Sequence, residues 1–127
     1  MPFHHSIKVQ PADIDQMGHV NNVVYLRYVQ EVAEAHWKSF ALSELKSNVL
    51  WVVLRHEIDY KKPAFNGEVL IGETWVEEAN GPKMPRNVVI KNEKGEVVIS
   101  ARTVWCALSA ETMRPIRIES SLYEQFK

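Results

Sequence analysis

A single long helix, predicted to begin near Asn22 and to end near Phe40, constrains the fold of this chain more than any other feature. Its polar residues recur at steps of three and four and form one narrow stripe: Arg27, Gln30, Glu31, Glu34 and Lys38. Almost all other positions are apolar or aromatic, and they cover more of the circumference than the buried face of an ordinary surface helix. In a chain of 127 residues, only a sheet built from the remaining sequence can cover such a helix. We therefore predict an α+β fold, with a curved antiparallel sheet wrapped around a central helix.

Length and composition limit the classes of protein to which this chain can belong. The chain is long enough for one core and too short for two, so we predict a single domain over residues 1–127. A net charge of -1 gives no electrostatic reason to expect nucleic acid as a partner. The single cysteine, Cys106, excludes an internal disulfide and is typical of a reducing compartment. No apolar run approaches the ~18 residues that a membrane span needs, and we expect a cytoplasmic protein without a span.

Five segments alternate between apolar and polar residues, which indicates β-strands. They are residues 3–10, 50–60, 68–78, 87–92 and 97–108. Turn sequences rich in Pro, Asn and Gly separate the last four segments, and we expect these four to form a meander of neighbouring strands. Residues 43–48 are predicted to form a connector after the long helix, and residues 120–126 a short amphipathic helix that caps the sheet.

The residues just before the long helix carry groups that catalysis could use. Asn21 and Asn22 are good N-cap residues, and the free backbone N–H groups of a helix start would stabilise a carbonyl oxygen that gains negative charge. Asp13 and Asp15 lie a few residues upstream, in a turn that must fold back towards the helix. A carboxylate facing an oxyanion site is what transfer of an acyl group to water requires. The same spacing is equally typical of two aspartates that only cap and solvate a turn.

No metal site is predicted from the acidic turn or from the histidines. The order Asp13, Asp15, Gly18 matches the first half of a calcium-binding loop. Met17 and Val24, however, stand where that loop needs oxygen ligands. The five histidines lack the spacing of a zinc motif. We therefore expect neither a metal nor a cofactor.

Two stretches of the chain resemble a known enzyme family. The run DIDQMGHVNNVVYLRY at residues 13–28 and the run RHEIDYKKPAFNGE at residues 55–68 are similar to the 4-hydroxybenzoyl-CoA thioesterase family of hotdog-fold acyl-CoA thioesterases. The predicted order of one strand, a long helix and four strands agrees with that family over nearly the whole chain. The resemblance implies a hotdog fold of about five antiparallel strands around the helix. It also implies an acyl-CoA substrate, and a homodimer or homotetramer with its active site at a dimer interface.

The resemblance assigns roles to residues of the acidic turn. It implies that Asp15 is the catalytic carboxylate, as general base or as nucleophile, and that the backbone N–H of Asn22 polarises the thioester carbonyl. Plant acyl-carrier-protein thioesterases use a D-x-N-x-H motif, which here reads Asp15, Met17 and His19. Because the asparagine is absent, only His19 is kept, as a helper. A helix arginine common in related sequences is replaced here by Ala33, which leaves open what orders the turn.

The predicted reaction is hydrolysis of an acyl-CoA thioester to a free acid and coenzyme A. Two other functions stay open: a hotdog hydratase or dehydratase, which would pair His19 with an acid, and a non-catalytic acyl-CoA-binding module. Aromatic residues are candidates for the wall of an acyl pocket: Tyr25, Tyr28, Trp51, Tyr60 and Trp75. Basic residues are candidates for the phosphates of coenzyme A: Lys61, Lys62, Lys83, Arg86 and Arg114.

Overall fold

The structure is a computed structural model that describes residues 2–40 and 48–127. The predicted connector at residues 43–48 lies outside these ranges except for its last residue. In chain order the elements are β1 (Phe3–Lys8), a short 3-10 helix (Pro11–Asp13), α1 (Asn22–Ser39), β2 (Val49–Tyr60), β3 (Val69–Val76), β4 (Lys83–Lys91), β5 (Val97–Ser109) and α2 (Ser120–Gln125). All five predicted strands and both predicted helices are confirmed.

Strand β4 begins four residues earlier than the sequence pattern indicates. The pattern places a turn at Asn80-Gly81-Pro82 and begins the next strand at Asn87. In the structure Pro85 lies inside β4, at the point where the β3–β4 ladder ends with Val76 opposite Arg86. The carbonyl of Pro85 accepts a hydrogen bond from the N–H of Glu77 at 2.8 Å.

The strands form one antiparallel sheet in the order β1-β3-β4-β5-β2. The predicted meander is therefore correct for β3, β4 and β5 and wrong for β2, which pairs with β5 at the far edge. The connection at residues 61–68 is too long for a tight hairpin and crosses the end of the sheet instead. Backbone hydrogen bonds fix it on the way, among them those from the Val20 N–H to the carbonyl of Ala64 (2.8 Å) and from the Gly67 N–H to the carbonyl of Val9 (3.2 Å).

Helix α1 packs on one face of this sheet and buries one side of its own surface. Tyr28, Val29 and Val32 are fully enclosed, together with sheet residues that include Leu70 and Ile90. The predicted α+β fold, a five-stranded antiparallel sheet around a long central helix, is confirmed. No helix within the described residues is long and apolar enough to cross a membrane.

Gly72 on β3 provides the space in which α1 lies close to the sheet. A Cβ atom built at this position would collide with Cγ2 of Val32, and the β-branched valine has little freedom to rotate away. We expect Gly72→Ala to destabilise the protein by about 1–3 kcal/mol, the usual cost of overpacking a core. The midpoint of urea unfolding measures this loss.

The Val32→Ala background provides the control for this prediction. If the collision of the new Cβ atom with Val32 is the cause, Gly72→Ala should lower the free energy of unfolding clearly less in a protein that already carries Val32→Ala than in the parent. An unchanged unfolding midpoint for Gly72→Ala in the parent would contradict the packing argument.

The C-terminal helix α2 caps one end of the sheet, as predicted. The ring of Phe126, which follows α2, stacks on Trp37 at 5.7 Å and contacts Trp51 edge-on at 6.0 Å. These residues belong to a second apolar cluster that also contains Met84 and Leu122. The core is thus divided into one cluster near the start of α1 and a second, aromatic cluster near its end.

His36, on α1 beside the aromatic cluster, is buried in the neutral state. Its ring stacks on Phe3 at 4.8 Å, and its Nδ1 atom lies 3.0 Å from Nη1 of Arg86, which can only donate. Burial and, to a smaller extent, the charge of Arg86 lower the pKa of His36 to about 4. The imidazole must therefore accept a hydrogen bond from Arg86.

This histidine predicts a loss of stability in mild acid. An unfolded histidine has a pKa of about 6.5, so between pH 6.5 and 4 the unfolded chain binds more protons than the folded one, and stability falls as the pH falls. We expect His36 alone to remove about 2 kcal/mol between pH 7 and pH 5. His36→Gln keeps an acceptor for Arg86 but does not titrate, so its unfolding free energy should fall less over the same interval. Equal pH dependence of the two proteins would contradict the assignment.

Candidate active site

A tight turn between the 3-10 helix and α1 brings the two ends of the acidic segment together. Ile14 and Val20 pair as an isolated antiparallel bridge. Within the turn, the N–H of Asp15 donates to the carbonyl of His19 at 2.9 Å, and the N–H of Gly18 donates to the carbonyl of Asp15 at 3.1 Å. Gly18 has φ +85°, a left-handed conformation that glycine adopts without strain. The turn therefore places the side chains of Asp15 and His19 next to each other.

Asp15 lies at the surface of this turn with 26% of its side chain exposed. Its Oδ1 atom accepts a hydrogen bond from the backbone N–H of Met17 at 2.9 Å. Its Oδ2 atom lies 3.6 Å from Nδ1 of His19. One carboxylate oxygen thus holds the turn, while the other faces the imidazole and remains open to further partners.

Asp13 is buried, in contrast to Asp15, and only 3% of it is exposed. Its Oδ2 atom accepts from the Tyr28 hydroxyl (2.6 Å) and from the Gln10 N–H (3.1 Å), and its Oδ1 atom accepts from Nη2 of Arg27 (2.5 Å). Burial alone would raise the pKa of Asp13, but the hydrogen bonds from Tyr28 and Arg27 outweigh it, and the pKa lies below its usual value. Asp13 is therefore an ionised anchor that ties the turn to α1.

The contacts of Asp13 show what orders the acidic turn in a chain that has alanine at position 33. Arg27 and Tyr28, one turn into α1, hold the acidic segment through their hydrogen bonds to Asp13. The spacing of four residues along the helix predicts ion pairs of Arg27 with Glu31 and of Glu34 with Lys38. The first pair forms, at 3.4 Å, whereas the link from Arg27 to Asp13 was not predicted. The second predicted helix pair, Glu34 with Lys38, makes no ion pair within the described part of the chain.

The first turn of α1 presents its backbone donors beside the acidic turn. Asn21 is the N-cap: its Oδ1 atom accepts from the N–H of Val23 at 3.0 Å, and its own N–H donates to the carbonyl of Asp13 at 2.9 Å. Asn22 is the first helical residue, so its N–H has no acceptor within the helix. The helix start therefore leaves a donor and a region of positive potential at Asn22.

A cleft of about 200 Å³ opens at this helix start. It is lined by His19, Val20, Asn22, Tyr25, Tyr60, Lys61, Lys62 and Pro63. The structure thus brings His19 and Asn22 into one cleft, together with two of the five predicted pocket aromatics. In the single chain Asp15 is not among the residues that line this cleft, and it is connected to the cleft only by its contact with His19.

Hydrogen bonds fix the two tyrosines of the cleft. The Tyr60 hydroxyl donates to the carbonyl of Asn22 at 3.4 Å, and the Tyr25 hydroxyl accepts from the N–H of Ala64 at 3.2 Å. Because Tyr60 belongs to the edge strand β2, the cleft lies at the boundary between the helix start and that edge.

The other candidate ligands are distributed differently from the prediction. Lys61 and Lys62 line the cleft, and Lys62 also pairs with Glu96. Arg86 is buried beneath α1 and does not line the cleft, so its candidacy as a phosphate ligand stays untested. No group of three or more His, Cys, Asp or Glu side chains within residues 2–40 and 48–127 is arranged to hold a metal ion.

Comparisons with known proteins are consistent with this geometry. The family described as acyl-ACP thioesterase N-terminal domain matches residues 1–126. "Putative acyl-CoA thioesterase YneP" of Bacillus subtilis (strain 168) is 34% identical over 118 residues, which cover 91% of this chain and 86% of YneP. Long-chain acyl-CoA thioesterase FadM of Escherichia coli (strain K12) is 28% identical over 127 residues, covering 95% of this chain and 94% of FadM. The crystal structure of YbaW from Escherichia coli superposes with a TM-score of 0.85 at 26% identity, over 96% of this chain and 94% of that one.

Proposed function

The chain belongs to the acyl-ACP thioesterase family of hotdog-fold enzymes and is a thioesterase, and from that premise we propose that it hydrolyses acyl-CoA to a free acid and coenzyme A in the cleft at Asn22. The acyl-CoA substrate is supported by the similarity to FadM, a long-chain acyl-CoA thioesterase. The observation that carries the site is the juxtaposition of a partly exposed carboxylate, an imidazole and an unpaired helix N–H within one turn of the chain.

In this proposal the helix start stabilises the charge that develops on the substrate. The N–H of Asn22 donates to the thioester carbonyl oxygen, which becomes negative as the tetrahedral intermediate forms. The positive potential of the first turn adds to this stabilisation. The thiolate that leaves needs little protonation, because a simple thiol has a pKa of about 8.5. One carboxylate and one oxyanion donor are therefore sufficient for the reaction.

Asp15 supplies the carboxylate in this proposal. As a general base it would take a proton from water, whose oxygen then attacks the carbonyl carbon; as a nucleophile it would form an acyl anhydride that water opens. His19 lies between the cleft and Asp15, with its Nδ1 atom 3.6 Å from Oδ2, and acts as a helper that orients the carboxylate. Its ring also limits the direction from which a substrate can approach Asp15.

The same imidazole and carboxylate also fit a second reaction. A hotdog hydratase or dehydratase needs a histidine paired with an acid beside the helix, and the 3.6 Å contact between His19 and Asp15 provides such a pair. Product analysis separates the candidates: purified protein is incubated with saturated, enoyl and aroyl thioesters of coenzyme A, and the products are resolved by chromatography. We expect free acid and free thiol in equal amounts. A hydroxyacyl thioester from the enoyl substrate would favour hydration, and intact substrate in all reactions would favour a binding module.

We further propose that two chains associate through the edge strand β2. Leu50, Val52 and Leu54 alternate on one side of this strand and are 42%, 39% and 53% exposed. A long apolar edge strand is an aggregation hazard unless another strand pairs with it. A paired copy would lie next to Tyr60 and would complete the cleft. Sedimentation velocity should give a dimer or a tetramer at micromolar concentration, and a monomer would contradict an interface site.

A further inference from the structure

A second cavity, of about 220 Å³, lies beneath the C-terminal half of α1. It is lined by Ala33, Glu34, Trp37, Val49, Leu50, Trp51, Met84, Arg86, Trp105 and Phe126. From Asn22 to Ala33 a helix rise of about 1.5 Å per residue gives roughly 16 Å. The two cavities share no lining residue. This aromatic cavity is therefore separate from the candidate active site.

Arg86 places a charge in the wall of this aromatic cavity. Only 3% of the residue is exposed, and its Nη1 atom donates to Thr74 Oγ1 at 2.8 Å and to Nδ1 of His36 at 3.0 Å. No carboxylate of the described residues lies within 4.0 Å of its guanidinium, although a buried charge is normally paired. Burial lowers the pKa of Arg86 to about 10, so the group is still charged at neutral pH.

Trp51, another residue of this lining, carries a buried donor. The indole N–H of Trp51 is buried and has no hydrogen-bond partner in the described part of the chain. Buried donors without an acceptor are uncommon in folded proteins and call for an explanation. The acidic residue in this lining, Glu34, is exposed and makes no ion pair with Arg86. The described residues of this lining therefore leave the charge of Arg86 without a carboxylate partner.

We propose that the aromatic cavity binds a monocarboxylate with an apolar body and that the carboxylate pairs with Arg86. The guanidinium fork matches the geometry of a carboxylate, which can accept two parallel hydrogen bonds. The remaining wall, formed largely by Trp37, Trp105 and Met84, suits a hydrocarbon body. A cavity of about 150 Å³ can hold one benzene ring, so this one accommodates a body of roughly six to eight carbons. The carboxylate belongs either to a free acid or to the far end of a thioester substrate.

Binding of octanoate, with octanol as the neutral counterpart, tests the proposal without turnover. Three of the four tryptophans line the cavity, so intrinsic fluorescence reports occupancy directly. We expect a saturable change with octanoate, at least tenfold weaker binding of octanol, and at least tenfold weaker binding of octanoate to Arg86→Gln. Equal binding of both probes, unchanged binding to the variant, or no saturable change with octanoate would overturn the proposal.

A further variant keeps the test decisive if Arg86→Gln fails to fold. Ala33→Met fills the cavity from α1 without touching Arg86, and it should abolish binding of both probes. Folded variants that bind octanoate like the parent would place the acid elsewhere and refute the assignment.

A kinetic measurement then separates the two sources of the carboxylate. The kinetic measurement rests on the proposed thioesterase activity, whereas the fluorescence titration does not. The proposed activity and the proposed binding of an acid can therefore be disproved independently. A free-acid site predicts that octanoate changes hydrolysis without competing with a long-chain acyl-CoA. A site for the far end of the substrate predicts competition, together with a lower KM for a long-chain thioester that carries a terminal carboxyl group. Arg86→Gln should remove whichever effect is seen, and an effect that survives in this variant would exclude the cavity as its origin.

Discussion

Replacing Asp15 with asparagine is expected to slow the chemical step by about 10²–10⁴-fold, the range typical of losing a general base. The amide keeps the size of the side chain and can still accept from the Met17 N–H, so the turn should persist. Neither a general base nor a nucleophile of useful strength remains at this position. Because the change acts on the transition state, kcat should fall while binding of substrate changes little.

Thiol release by Asp15→Asn, followed under saturating acyl-CoA, measures this effect. The melting temperature of the variant serves as the control and should lie close to that of the parent. Turnover within a factor of three of the parent would show that another group activates water.

The largest loss of stability is expected at Asp13. Asp13→Asn removes the charge that Arg27 and Tyr28 hold in a buried position. We expect the free energy of unfolding to fall by about 2–4 kcal/mol. This is near the lower end of the cost of breaking a buried ion pair, because Arg27 is itself half exposed. Since the pKa of Asp13 is lowered in the folded state, its contribution is present at neutral pH and is lost as the pH falls through the range below its usual value of 3.8. Urea unfolding at neutral pH measures the loss.

Glu31→Gln provides the matched control for the Asp13 variant. It removes the other partner of Arg27, at 3.4 Å on the helix surface, and should change stability by no more than about 0.5 kcal/mol. Equal losses in the two variants would contradict the larger contribution that we assign to the buried carboxylate of Asp13.

The sequence could predict the features that depend on local patterns. The spacing of polar residues located α1, and Asn21 before an apolar run marked the helix start, because both signals act over one or two turns. The strands were found for the same reason, apart from the start of β4, which lies four residues before the predicted start at Asn87. The pairing of β2 with β5 could not be predicted in this way, since it depends on how residues 61–68 cross the end of the sheet.

The difference between the two aspartates is also not local. Asp13 and Asp15 have the same side chain and lie two positions apart, and only the fold shows that one is buried on Tyr28 while the other faces His19. Arg86 is a similar case, because a strand arginine in an alternating pattern is usually solvated, and its burial depends on α1 and on Phe126 covering it. Family resemblance gave Asp15 its proposed role without giving the reason for its position.

The central claim, that Asp15 rather than Asp13 carries out the chemistry beside Asn22, is tested most directly by single-turnover hydrolysis with the enzyme in excess over an acyl-CoA. The rate constants of Asp15→Asn and Asp13→Asn are compared with that of the parent, each corrected for the fraction of folded protein. We predict that Asp15→Asn loses at least about 10²-fold while folded Asp13→Asn stays within about tenfold of the parent. Equal losses in the two variants, or a larger loss for Asp13→Asn, would contradict the account.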